Sequence, residues 1–358
     1  MNKNSIKYDN KNDYVDPLMG ANHFTLLRWI LAGLVALGHM WLLTTNYEPF
    51  RIHDWTGSYM AVNGFFMLSG LLIAKSLHTR RNMKAYAISR ALRIYPALII
   101  LLLAFAFVFS PLFSNPGGAQ NIYSGETWRY VLRVLTLGDP QGAPGGIFAG
   151  NREADFNGPL WTIRFEMVAY IMAGLAFMVG AVTKLWRTVF AFLAVQTLYM
   201  LLPFLIDVNT LPASILPLLR LSSVFLMGMV LWHAPILRNP RWWWMGILFA
   251  TFALLGSTIV GELSANLALA ALLMKFGLPQ KSVPALTRIP DYSYGLYIWH
   301  YPVMQVVMWL FPDFGPFALM ATSTPIFILL AGLSWYVIEK PALKLKAKFA
   351  IIRHSTQA

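Results

Sequence analysis

The chain has 358 residues, 57% of them hydrophobic and only 12% charged, with a mean hydropathy of +0.55 and a net charge of +13. No ordinary soluble domain of this length has that balance, so the composition describes a polytopic membrane protein. Cysteine is absent, which excludes thiol nucleophiles, disulfides and thiolate metal sites.

Ten spans are predicted, at about 24–43, 58–77, 94–113, 158–180, 188–206, 214–235, 242–260, 262–279, 291–311 and 317–338. The expected fold class is all-α, with the break between the seventh and eighth spans placed at Gly261. The first twenty residues are polar and show no apolar core before a cleavage site, so the first span is expected to stay in the mature chain. An even number of spans puts both termini on one side. That side collects Lys3, Lys7, Lys11 and Arg28, then Lys75, Arg80, Arg81, Lys84, Arg90 and Arg93 in a 75–93 loop. It also takes Lys184, Arg187, Arg238, Arg241, Lys275, Lys281 and Arg288, and a tail running from Lys340 to Arg353. The opposite side holds only Arg51, Arg129, Arg133 and Arg152. By the positive-inside rule both termini are cytoplasmic, in a multi-pass protein of the cell inner (plasma) membrane. The basic excess is then topology and requires no nucleic acid. The expected layout is a cytoplasmic segment (1–23), one ten-span domain (24–341) and a basic cytoplasmic tail (342–358).

In the first span Arg28 and His39 are eleven residues apart. That spacing returns nearly to the same helix face and separates them by roughly 16 Å along the axis. The arginine is expected near one surface and the histidine deep in the slab, where an ionisable group usually faces a bundle interior or wet cavity and marks function. The alternative is a neutral histidine holding helix packing. The second span carries Asn63-Gly-Phe-Phe-Met-Leu-Ser-Gly70, whose small residues suit close helix approach. Arg90 and Arg93, at i and i+3 where the third span begins, project to one side of a helix and can grip phosphates by paired hydrogen bonds; anchoring to anionic lipid is the alternative.

The longest segment outside the membrane is 114–157, rich in glycine, proline and asparagine, with a short helix expected over Thr127–Leu137. A loop of this length suits a wall over an outward-facing acceptor pocket. It leads into Arg164 and Glu166 at the outer end of the fourth span, which point about 160° apart on a helix and therefore need different partners. Glu166 is expected to meet His39, or else to pair with Arg220 of the sixth span. In the ninth span Ser293, Tyr297 and His300 recur at i, i+4 and i+7 on one face, ahead of Pro302. His300 rivals His39 as a proton acceptor.

This set of residues resembles the membrane-bound acyltransferase 3 family, ten-span proteins that acylate sugars and other acceptors from cytoplasmic acyl-CoA. The matching pieces are Arg28 with His39, Gly64-Phe-Phe-Met-Leu-Ser-Gly70, Arg90-Ala-Leu-Arg-Ile-Tyr-Pro96, Leu160-Trp-Thr-Ile-Arg-Phe-Glu166, Tyr292-Ser-Tyr-Gly-Leu-Tyr-Ile-Trp-His-Tyr-Pro302 and Val337-Ile-Glu-Lys-Pro341. The resemblance implies that His39 is catalytic, that Arg90 and Arg93 serve the acyl-CoA, and that Glu166 is essential. The outer-face esterase-like domain fused to some members has no counterpart in this sequence, so the chain is expected to act alone or through a partner.

Together these readings give an expected reaction. Acyl-CoA, with acetyl the commoner donor among relatives, docks on Arg90 and Arg93 helped by Arg28 and Lys84. His39, assisted by Glu166, removes a proton from a hydroxyl of a cell-envelope glycan or lipid-linked sugar. Ser69, Arg164, Tyr297 and His300 are expected to line the acceptor pocket or support it. No bound cofactor or metal is expected, and the partners are acyl-CoA, the acceptor and membrane lipids. The competing expectation is a proton-coupled transporter or flippase using His39, Glu166, Arg220 and His300 as a relay; it predicts inverted repeats, and no convincing repeat is present. Oligomeric state has no signature in the sequence.

Overall fold

A computed structural model of the protein describes residues 18, 22–49, 51–80, 82–114, 122–279 and 283–351. Lys3, Lys7, Lys11, Arg81, Lys281 and Arg353, used above to orient the chain, lie outside the described residues, as does the 115–121 part of the outer loop. The structure is 79% helical, and no β-strand occurs among the described residues.

Fourteen α-helices follow one another among the described residues. They are α1 (Phe24–Thr45), α2 (Gly57–Arg80), α3 (Met83–Ala104), α4 (Ser110–Phe113), α5 (Gly125–Leu137), α6 (Trp161–Met178) and α7 (Leu185–Leu205). After these come α8 (Ile215–His233), α9 (Trp242–Leu255), α10 (Ile259–Gly277), α11 (Pro284–Thr287), α12 (Ser293–Leu310), α13 (Pro316–Leu333) and α14 (Lys340–Ile351). Eight stretches among the described residues are helical, long and apolar enough to cross a membrane; they include α3 continued through α4 to Phe113, and α13 continued into α14. Of the ten expected spans the other two are α9, with only 14 residues, and α12, which carries the tyrosines, His300 and Gln305.

Two boundaries differ from expectation. The 75–93 stretch is helix rather than loop: α2 runs to Arg80 and α3 starts at Met83, after Asn82, whose side chain caps α3 by accepting from the Ala85 amide at 3.1 Å. No glycine or proline stands between Leu71 and Tyr95, and polarity alone does not make a long loop. The break expected at Gly261 falls instead at Gly256 (φ 60°), because Thr258 caps α10 by accepting from the Gly261 amide at 3.2 Å.

The bundle has two ends. At one, here the basic end, lie Arg28, Arg93 and Asp291, the α2–α3 turn and both ends of the described chain, where the Leu18 carbonyl meets Lys75 and α14 lies beside α3. The other, here the loop end, carries 122–157. The α5 helix forms there over nearly the expected residues, capped by Ser124 and closed by Gly138 at φ 60°. The rest of the loop is strapped to α12. Pro302 has no N–H to give the Ile298 carbonyl, and the Asn157 side chain donates to that carbonyl at 2.8 Å instead. Gln305 donates to the Glu153 and Asp155 carbonyls at 2.6 and 2.7 Å and accepts from Asn151 at 2.8 Å. Phe148 and Phe156 are fully buried beneath.

The small-residue patch of α2 packs as its composition suggests. A Cβ on Gly70 would lie 1.9 Å from the Phe225 carbonyl oxygen of α8, and one on Gly228 would lie 2.0 Å from that of Met67. Backbone cannot yield as a side chain can, so Gly70→Ala or Gly228→Ala should force α2 and α8 apart at a cost of about 1–3 kcal/mol. A clearly lowered melting temperature in detergent is the expected reading, and an unchanged one would refute this close approach. Arg220, buried in α8, does not pair with Glu166: it donates to Asn63 at 2.7 Å and stacks 3.9 Å from the centre of the Tyr59 ring.

Candidate active site

At the basic end a cavity of about 280 Å³ lies among α1, α2, α3, α6, α12 and α14. Arg28 from α1 and Arg93 from α3 converge on one oxygen of Asp291, each at 2.8 Å, while Ser293 donates to the other at 2.6 Å. Arg93 is also 3.9 Å from Glu339. Arg90, three residues earlier on α3, projects to the same cavity but has no carboxylate partner among the described residues. Its guanidinium lies 5.6 Å over the Tyr170 ring and its Nε donates to Ser89 at 3.2 Å. The expected arginine pair therefore shares one wall and divides in role: Arg93 is held by acids, and Arg90 is available to an anion. Lys84 is exposed and does not line the cavity.

Glu166 and Ser69 also line this cavity. Glu166 does not meet His39. It accepts a hydrogen bond from the Tyr170 hydroxyl one turn along α6, facing the arginines. Arg164, as the 160° spacing requires, turns to the other face of α6 and lines a separate groove against α3.

His39 pairs instead with His300, Nδ1 to Nε2 at 2.9 Å, the rings nearly parallel at 6°. The His300 Nδ1 is 3.0 Å from the Leu296 carbonyl. A carbonyl only accepts, so in the neutral pair His300 carries its proton on Nδ1 and its Nε2 is an acceptor. His39 must then donate from Nδ1, which leaves a lone pair on its Nε2. That nitrogen has no hydrogen-bond partner among the described residues, and His39 is half-buried whereas His300 is fully buried. Tyr301 meets the His39 ring edge-on at 5.3 Å, beneath the strapped loop. In that loop burial raises the Asp155 carboxyl above its ordinary range.

Tyr297 separates the two halves of the site. It lines the arginine cavity, donates to the Pro159 carbonyl at 2.8 Å and accepts from Thr162 at 2.7 Å, with its ring 6.1 Å from that of His300. His39 itself is not part of the cavity wall. The predicted face of Ser293, Tyr297 and His300 thus runs from Asp291 to His39 as a single polar stripe. Sequence reasoning assigned no role to Asp291, Tyr170 or Thr162. A lone acid at the mouth of a span, with arginines expected on the same side, was the available sign for Asp291.

Residues 22–338 match the acyltransferase 3 family, described as an acyltransferase domain. The chain belongs to this family. It is an acyltransferase, which decides for the enzyme over the transporter. The O-acetyl transferase of Shigella phage Sf6 is 27% identical to the acyltransferase over 337 residues, covering 89% of this chain and 95% of the relative. Nodulation protein 10 of Rhizobium leguminosarum bv. viciae is 26% identical over 373 residues, covering 93% and 96%. No solved structure matches the acyltransferase. The matched region contains the whole stripe from Arg28 to His300.

Proposed function

We propose that this acyltransferase moves an acetyl group from cytoplasmic acetyl-CoA to a hydroxyl of a cell-envelope glycan or lipid-linked sugar, with His39 as general base, in the inner membrane. The observation that carries the reading is the chain of hydrogen bonds from Leu296 through His300 to His39, which leaves a lone pair free on His39 at one end of the stripe, while Arg90, without a carboxylate partner among the described residues, borders the cavity at the other end.

In this mechanism the CoA phosphates dock at Arg90 in the mouth of the cavity, and the pantetheine arm points inward past Ser69 and Glu166. Asp291 keeps Arg28 and Arg93 fixed while offsetting part of their charge. For thioester and imidazole to meet, the Tyr297 hydroxyl leaves Pro159 and Thr162. His39 Nε2 then takes the proton of the acceptor hydroxyl as its oxygen attacks the thioester carbonyl. The tetrahedral intermediate collapses with the C–O bond formed and the C–S bond broken, and the imidazolium returns its proton to the departing thiolate. The thioester already carries a good leaving group, so alignment and one proton transfer are the protein's main tasks.

Incubating the purified protein with radiolabelled acetyl-CoA and fractionated envelope glycans tests this; label in a glycan fraction is expected, and label in none refutes it. Arg90→Ala should weaken acetyl-CoA binding about tenfold, from the loss of charge-assisted phosphate contacts. Equal thermal stabilisation of both forms by CoA would remove Arg90 from the donor site.

A further inference from the structure

The groove between α3 and α6 has a volume of about 550 Å³ and lies beside the arginine cavity, with which it shares Arg90, Ile94 and Tyr170. Its α6 wall is a helical stripe from Arg164 through Val168, Ile171 and Leu175 to Met178, roughly 21 Å long by helix rise. Most of that stripe is exposed sideways, where the bilayer lies. The groove is therefore apolar along its length and cationic at its loop end.

The cation is unmatched. Arg164 has no hydrogen bond or ion pair among the described residues; its Nε is buried without a partner, and its guanidinium lies over the Phe165 face, 5.0 Å from the ring centre. An arginine half-buried at this depth is costly unless an anion meets it. The loop holds it in place: Gly138 ends α5 against the Arg164 backbone so closely that a Cβ there would lie 2.6 Å from the Arg164 nitrogen. A planar guanidinium above an apolar channel matches a phosphate joined to a long hydrocarbon tail.

The geometry assigns this groove to a single-chain lipid with a phosphate head, the polyprenyl phosphate carrier of the acceptor sugar. Arg90 also borders the channel but lies over the Tyr170 ring, so the loop end holds one guanidinium for one head, and the channel, closed behind where Gly174 packs on Met83 and Tyr86, takes one tail. A head at Arg164 sits at the same end of the bundle as His39, so a sugar attached to it emerges under the loop where the acceptor hydroxyl is needed. The choice of cargo rests on the acetyltransferase reading; the lipid site does not.

The test uses the full chain in phosphatidylcholine nanodiscs with a diazirine-tailed polyprenyl phosphate and no acyl donor. Expected are crosslinks on Ile171 and Leu175, competed by unlabelled polyprenyl phosphate and not by polyprenol or phosphatidylglycerol. Arg164→Gln should reduce labelling about tenfold, the scale of one lost charge-assisted contact. Ile171→Trp, which fills the channel, should reduce it as well and decides the matter if the arginine variant does not fold. Labelling spread evenly around the bundle, equal competition by polyprenol, or competition by phosphatidylglycerol as an ordinary boundary lipid would each overturn the assignment. Specific labelling without glycan acetylation would sink the enzymatic reading alone, and acetylation of glycan without labelling would sink this one alone.

Discussion

Replacing His39 with alanine is expected to lower acetyl transfer by about 10²- to 10⁴-fold, the usual range for a positioned general base, while the protein remains inserted and folded. The free Nε2 is the group at stake, and its lone pair exists because His300 accepts the Nδ1 proton. In the proposed mechanism His300 is therefore a positioning residue. His300→Phe should keep the bulk of the ring but remove the acceptor, releasing His39 to either tautomer and cutting kcat on the order of 10- to 100-fold with the KM for acetyl-CoA unchanged. His300→Gln, whose amide oxygen can take the same proton, should recover much of that loss. A packing role alone would favour Phe over Gln in activity, so that order of the two variants would reject the assignment. Full turnover by His39→Ala would remove the imidazole from the chemistry.

Asp291→Ala should be the most destabilising single change near the site, about 3–5 kcal/mol, because it strands two guanidinium groups that share one carboxylate. Glu339, at 3.9 Å, leaves Arg93 only a long ion pair, and Arg28 has no second acid among the described residues. The same three residues join α1, α3 and α12, so their separation should open the basic end of the bundle. Thermal unfolding of wild type, Asp291→Ala and the double variant Asp291→Ala with Arg28→Ala measures the coupling. Removal of Arg28 should recover part of the loss. No loss in the single variant would mean that water satisfies these charges, as at exposed ion pairs.

Much of the architecture was legible in the chain. Ten apolar stretches, the basic bias of their connections and the absence of cysteine are properties of composition and period, and each stretch became a helix. The Ser293, Tyr297 and His300 stripe was readable because i, i+4 and i+7 is a local geometric relation. The same reasoning correctly turned Arg164 and Glu166 apart, since both are on one helix. Local rules erred where polarity was taken for a loop, at 75–93, and where one glycine was chosen over another as the helix break. A cap depends on which side chain reaches which amide, and Asn82 and Thr258 decided both.

Partnership across helices was another matter. Depth in the membrane suggested His39 with Glu166, but depth is one coordinate, and the rotation of each helix about its axis is set by packing: Gly70 and Gly228 seat α2 on α8, and Pro302 frees a carbonyl that binds the loop to α12. Sequence alone determined that this is a helical membrane protein with arginines at one end and imidazoles deep within, because hydropathy and helical period are carried by neighbouring residues. Only the tertiary structure decided that His39 meets a second histidine, that one aspartate holds two arginines and that Tyr297 stands between the arginine cavity and the His39 imidazole, because residues hundreds of positions apart meet through the packing of whole helices.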